Sequence, residues 1–87
     1  MRNHYLVVPR YFFDLTNGEG TTVDAEGAFL ADLAAARDYA IRAARDVAGA
    51  DIRDGREVSL GSFVAIRDEA GCEVGRATFA EALRITC

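Results

Sequence analysis

Residues 30–54 read LADLAAARDYAIRAARDVAGADIRD, and this stretch decides the fold. It is the only long segment of the chain with helical period. On a wheel of about 100° per residue, Leu33, Ala36, Ala40, Ala43, Ala44 and Val47 share one face. Tyr39 and Ile41 flank that face, and Asp38, Arg42, Arg45 and Asp46 lie opposite. Asp32 stands just before the periodic run, where its carboxylate can accept the free amides of the first turn. Alanine has the best helix propensity, and its small side chain lets a helix sit close to a sheet. Gly49 weakens the far end, so the last regular turn stops near it or frays on to Gly55. Asp38, Arg42 and Asp46 follow at i, i+4 spacing, worth about 0.2–0.5 kcal/mol per pair. Such a charged row reads either as a docking surface or as a solvated helix face, and the solvated face is the preferred reading.

What flanks the helix reads as short strands. Arg10 to Thr16 is the strongest: alternation sends Tyr11, Phe13 and Leu15 to one face and Phe12, Asp14 and Thr16 to the other. Asn17-Gly18 follows, a strong hairpin signal, and Thr21 to Asp24 returns as a short second strand. Asp24-Ala25-Glu26-Gly27 breaks it. Phe29 is then placed to pack under the start of the helix. Beyond the helix, a third strand is expected from about Ser62 to Arg67 and a fourth from about Cys72 to Thr78. Asp68-Glu69-Ala70-Gly71 between them reads as a type I turn with Gly71 left-handed. Phe79 to Leu83 reads as one helical turn, with Phe79 and Leu83 as core plugs.

The expected architecture is therefore α+β: a two-layer ββαββ domain, its four-stranded antiparallel sheet covered on one face by one long helix. The expected strand order is 2-1-3-4, which a right-handed crossover permits. That order centres the first strand, the most apolar of the four. Tyr11 and Phe13 are expected under the helix, against Ala40 and Ala44. Residues 9–87 form a single domain, and residues 1–8 an N-terminal extension or edge segment, because Pro9 interrupts the run Tyr5 to Val8 and removes a ladder donor.

Composition narrows the function. At 87 residues, half of them apolar, the chain has one thin core. Its net charge of −4 argues against a general affinity for nucleic acid or anionic membrane. All ten basic residues are arginine. No run of about 18 apolar residues is present to span a membrane. Cys72 and Cys87 are too few and too far apart for a metal pattern, so a reduced, cytoplasmic setting is expected.

No catalytic, cofactor or metal residue is assigned. Asp14, Asp24 and Glu26 converge where the first hairpin ends, and paired carboxylates can hold a hard cation or move a proton. The preferred reading makes Asp24 and Glu26 turn residues whose oxygens take nearby amides. His4 has no cysteine beside it to activate. Neither cysteine has an adjacent base or helix N-terminus. Ser59 and Ser62 lack the Gly-x-Ser-x-Gly elbow.

The ordered set Pro9-Arg10-Tyr11-Phe12-Phe13, Asn17-Gly18-Glu19-Gly20, Asp24-Ala25-Glu26-Gly27, Asp32-Leu33, Ala35-Ala36-Arg37, Asp68-Glu69-Ala70-Gly71 and Phe79-Ala80-Glu81-Ala82-Leu83 resembles a known pattern. It is that of a small bacterial domain-of-unknown-function family whose members open with Met-Pro-Arg-Tyr-Phe-Phe. The resemblance covers about residues 9–85. It implies the same order of elements and no catalytic residue. The segment before Pro9 departs from it, as an extension or a misassigned start. A weaker likeness is to antitoxins of the HicB type, which join a small antiparallel sheet to a similar helix. Their glycine-cysteine core signature is missing here, and no separate DNA-binding segment follows.

The feature that bears most on function is the uncovered face of the sheet. One helix covers one face. If Val64 and Ile66 point to the helix, Phe63 points away, as Phe12 does, and the two rings are expected as cross-strand neighbours. Large apolar patches mark contact sites, so Phe12 and Phe63 are the expected interaction residues. The partner is expected to be a second copy of the chain, or another protein. The domain is read as non-enzymatic. The runner-up is a HicB-antitoxin-like or regulatory nucleic-acid-associated module.

Overall fold

The computed structural model describes residues 8–84. Asp32 starts the helix as the sequence predicts: its Oδ1 accepts the Ala35 amide at 2.8 Å. Helix α1 (Leu33–Arg53) then runs for 21 residues. It passes through Gly49 and stops at Asp54, whose amide donates to the Ala50 carbonyl at 3.0 Å. Gly55 follows at φ +75°, a left-handed value that glycine adopts without a Cβ penalty. A glycine inside a helix costs about 1 kcal/mol against alanine. Burial of Ala48 beside it helps carry the helix through that position.

Five strands form the sheet: β1 (Arg10–Asn17), β2 (Gly20–Thr22), β3 (Ala28–Phe29), β4 (Phe63–Arg67) and β5 (Glu73–Thr78). The main path runs β2-β1-β4-β5 and every pairing is antiparallel, the order the sequence predicts. The addition is β3, which returns to pair with the start of β1, Arg10 opposite Phe29 and Tyr11 opposite Ala28. The second strand is accordingly shorter than expected, ending at Thr22. Among the described residues, no helix is long and apolar enough to cross a membrane.

Both hairpins close through side-chain oxygens. Asn17 Oδ1 accepts the Glu19 amide at 2.9 Å. In the β4–β5 turn, Asp68 Oδ1 accepts the amides of Ala70 at 2.9 Å and Cys72 at 3.0 Å. Gly71 there has φ +87°, the left-handed position the sequence predicts. Helix α2 (Phe79–Leu83) is capped by Thr78, whose hydroxyl accepts the Glu81 amide at 3.1 Å.

Ala36, Ala40, Ala44 and Ala48 make a stripe at every fourth residue, and all are fully buried. With them in the core are Val64 and Ile66 of β4, Ala77 of β5, and Phe79 and Ala82 of α2. Ile66 and Phe79 are the largest fully buried side chains, each worth about 1.5–3 kcal/mol of apolar transfer. The sequence places the centre of burial one strand too early. β1 is interior to the sheet, but α1 lies mainly over β4 and β5 and meets β1 along its flank. Tyr11, Phe13 and Leu15 are half-buried at the margin of the core. Phe13 packs against Tyr39 in a tilted pair, with ring centroids 4.4 Å apart. Apolar density in β1 misleads because its large rings fit beside the helix, whereas small side chains fit beneath it.

Three further expectations are corrected. Phe29 is not under the helix start: it is 66% exposed, and Leu30 packs against the core instead. Leu33 is exposed at the first turn, while Ala48 belongs to the buried face. Asp38, Arg42 and Asp46 form no ion pairs with one another among the described residues.

Ala40→Leu should push a larger side chain into this helix–sheet contact. We expect a loss of about 1–3 kcal/mol in a urea melt, and a neutral result would show that the stripe is loosely packed.

Candidate functional site

Because Val64, Ile66 and Ala77 face the helix, the alternate residues of each strand face the other way. The register puts Phe12 opposite Arg67, Asp14 opposite Ala65 and Thr16 opposite Phe63. β5 adds Arg76 opposite Ala65 and Thr78 opposite Phe63. These side chains form the open face, and no second layer of helix or strand covers it among the described residues.

Phe12 and Phe63 both lie on this face, but they are not cross-strand neighbours. The position opposite Phe12 is Arg67, four residues along β4 from Phe63, a distance of about 13 Å at the usual strand rise. Nor are the rings bare. The Arg10 and Arg67 guanidinium carbons each lie 5.2 Å from the Phe12 centroid. Arg10 is also 5.4 Å from the Phe29 centroid. Arg76 lies 3.9 Å from the Phe63 centroid. Each such contact is worth about 0.5–1 kcal/mol where exposed. The face is therefore a set of phenylalanine–arginine contacts rather than a bare apolar patch. Alternation alone shows that Arg10 and Phe12 share a face; the positions of Arg67 and Arg76 need the register, which the sequence does not state.

At the centre of the face Asp14 is buried and paired with Arg67. Arg67 Nε donates to Asp14 Oδ2 at 2.6 Å, and a terminal nitrogen donates to Oδ1 at 3.1 Å. The Asp24 amide donates to the same Oδ1 at 2.9 Å. The Arg67 fork is the main reason the Asp14 carboxyl is held below its ordinary range, against the opposing pull of burial; the Asp24 amide adds to it. The same bonds raise the Arg67 guanidinium further above its usual value.

Asp24 does a different job. Its Oδ1 accepts the amides of Glu26 and Gly27, both at 3.1 Å, and its Oδ2 accepts the Phe13 amide, also at 3.1 Å. The side chain thus stands in for a strand partner in the gap between β2 and β3. Burial pushes this carboxyl up, but the amides of Gly27, Phe13 and Glu26 together hold it below the usual value. Gly27 is required at this turn. Its φ is +70°, and a Cβ would meet the Tyr11 carbonyl oxygen at 2.7 Å.

So Asp14 and Asp24 do meet, as the sequence allows, but as backbone and guanidinium acceptors. A carboxylate with depressed pKa and filled lone pairs is a weak general base at neutral pH. Glu26 contributes its amide to Asp24, not its carboxylate. Among the described residues no three His, Cys, Asp or Glu side chains are grouped to hold a metal ion. Cys72 is exposed at the end of the β4–β5 turn. Ser59 Oγ accepts the Gly61 amide at 3.3 Å, and Ser62 is buried in the core layer. His4 and Cys87 lie outside the described residues, as does the segment 1–7.

The depressed carboxyls fix the sign of an acid effect. In the unfolded chain they titrate near about 3.9; in the folded chain they titrate lower. Their stabilisation is complete above the unfolded value and is lost as pH falls through the folded values. We expect thermal melts to be flat in this contribution from pH 5 to 7 and to fall below about pH 4. Asp14→Asn should weaken that acid dependence, and an unchanged profile would show that the pair does not couple to folding. Gly27→Ala should cost about 1–3 kcal/mol for strained backbone, read in the same melts.

No curated protein matches the chain, and no solved structure does. A family model does match, over residues 10–80, from the first residue of β1 into α2 and so across the whole sheet and the long helix. Its description is Domain of unknown function (DUF6894), and the chain belongs to that family.

Proposed function

We propose that this domain acts by protein contact and not by catalysis, and that its open face meets a second copy of the same chain. The observation that supports this is the pairing of rings and charges on that face. Phe12, Phe29 and Phe63 each carry an arginine. Arginine and large aromatic side chains are enriched in protein interfaces. The face also carries both signs of charge, Arg67 with Asp14 and Arg76 with Glu73. A two-fold contact brings the same patch against itself, so a patch with both signs can be its own complement. Exposed, unpaired Cys72 fits a reduced, cytoplasmic setting.

A nucleic-acid-associated module is the second reading. Arginine stacked on aromatic rings over a sheet suits single-stranded nucleic acid. The net charge of −4 opposes it. The two separate cleanly: salt-dependent binding of a labelled single-stranded oligonucleotide would favour the second reading over the first.

Light scattering at micromolar concentration should give the mass of a dimer, and the mass of a monomer would sink the homodimer. Phe12→Asp should dissociate the dimer while leaving the helical circular dichroism intact. If that change unfolds the chain, Phe12 is structural and the contact lies elsewhere.

A further inference from the structure

On the helix side of the sheet, the β1–β2 hairpin, the C-terminal half of α1 and the segment 56–62 border a groove of about 970 Å³. Its floor is apolar, made by Leu15, Val47, Val58 and Phe79. Its rim carries the carboxylates of Glu19, Asp51 and Glu57 against one guanidinium, that of Arg56. Two polar side chains lining it have no hydrogen-bond partner among the described residues. The first is Ser62, which is 5% exposed. Its amide donates to the Ser59 carbonyl at 3.1 Å and its carbonyl accepts the Phe79 amide at 2.8 Å, so only the hydroxyl is left unmet. The nearby Ser59 hydroxyl, by contrast, accepts the Gly61 amide at 3.3 Å. Ser62 continues the alternation of Val64 and Ile66, which directs its side chain to the helix side and into the groove. The second is Asp51, whose side chain is 21% exposed. Its ion-pair partner Arg56 is 3.7 Å away, too far for a hydrogen bond, and is itself 70% exposed. A pair of that kind is weak and readily displaced.

We propose that this groove binds a small organic cation, an ammonium group on an apolar body. Small-molecule sites are concave and mostly apolar, with a few polar groups that fix orientation. Here the hydrocarbon part covers Leu15, Val47, Val58 and Phe79. The ammonium group brings N–H donors and no acceptor, which is what the two unmet side chains require. The Asp51 carboxylate takes a charge-assisted bond, and the Ser62 hydroxyl accepts through its lone pairs. Charge selects the sign of the ligand. Three carboxylates face one guanidinium on the rim, and the chain as a whole carries −4, so an organic anion of the same shape is repelled. A bare metal ion has no use for the apolar floor. The groove lies across the sheet from Phe12 and Phe63, so this site is independent of the contact proposed above.

The test is a titration of the full chain with phenethylammonium and with hexylammonium at constant ionic strength, followed in nitrogen-15 spectra. With at least one of them the Val58, Ser59 and Ser62 amides should shift and saturate, with a dissociation constant of about 1 mM or below. Phenylacetate, which has the ring but the opposite charge, should bind about tenfold more weakly or not at all. Ammonium chloride, which has the charge but no hydrocarbon, should leave these amides still. Asp51→Asn should weaken the organic cation about tenfold while the helical circular dichroism stays intact. No saturation with either cation overturns the inference. So do shifts confined to residues outside the groove, equal binding of phenylacetate, and undiminished binding by folded Asp51→Asn. The comparison of cation with anion uses the wild-type chain, so it decides the matter even if Asp51→Asn fails to fold.

Discussion

A helix whose fully buried side chains are four alanines can hold a sheet only by lying close to it. That closeness is the constraint on which this fold depends. Ala36, Ala40, Ala44 and Ala48 leave room for side chains of modest size beneath them, and β4 and β5 supply Val64, Ile66 and Ala77. The large rings of β1 do not fit there. Tyr11 and Phe13 are displaced to the flank, where Phe13 meets Tyr39. Phe79 and Ala82 of α2 close one end of the thin core. In a chain this small a thin core leaves little excess stability, so caps and turns carry weight. Asp32, Asn17, Asp68 and Thr78 each give a side-chain oxygen to a backbone amide at the end of an element.

The same constraint shapes the second face. With α1, the one long helix among the described residues, committed to one side, the other side of the sheet has to settle its rings and charges within its own plane. It does so by setting arginines against phenylalanine rings and by pairing Arg67 with Asp14 and Arg76 with Glu73. Asp14 shows how the two levels connect. Its carboxylate takes a guanidinium from β4 and an amide from the turn after β2. It thus ties the central pair of strands to the segment that leads into β3.

The sequence reveals those features that are local. The Asp32 cap, the Asn17-Gly18 turn and the left-handed Gly71 each follow from a few adjacent residues, and the strand order follows from the apolar character of the first strand with one crossover. What is hidden depends on register or on a residue pair distant in sequence. Arg67 is 53 residues from Asp14, and nothing near either one announces the other. The two-residue β3 is too short for alternation to show, so Phe29 reads as a core residue when it stands in water. Phe12 and Phe63 are placed on the correct face by alternation but on the wrong rungs, since alternation carries no register.

The turn Asp24-Ala25-Glu26-Gly27 argues how such a motif should be read. An acidic pair beside a third carboxylate invites a catalytic or metal reading. Here both Asp24 carboxylate oxygens are occupied by main-chain amides, and Gly27 is fixed by its φ and by the Tyr11 carbonyl against it. Backbone geometry therefore explains both Asp24 and Gly27 in this motif. The opening Arg10-Tyr11-Phe12-Phe13 is different. Tyr11 and Phe13 are accounted for by the core margin, and Phe12 by its two arginines. Arg10 lies beside the rings of Phe12 and Phe29, and its buried Nε has no hydrogen-bond partner among the described residues.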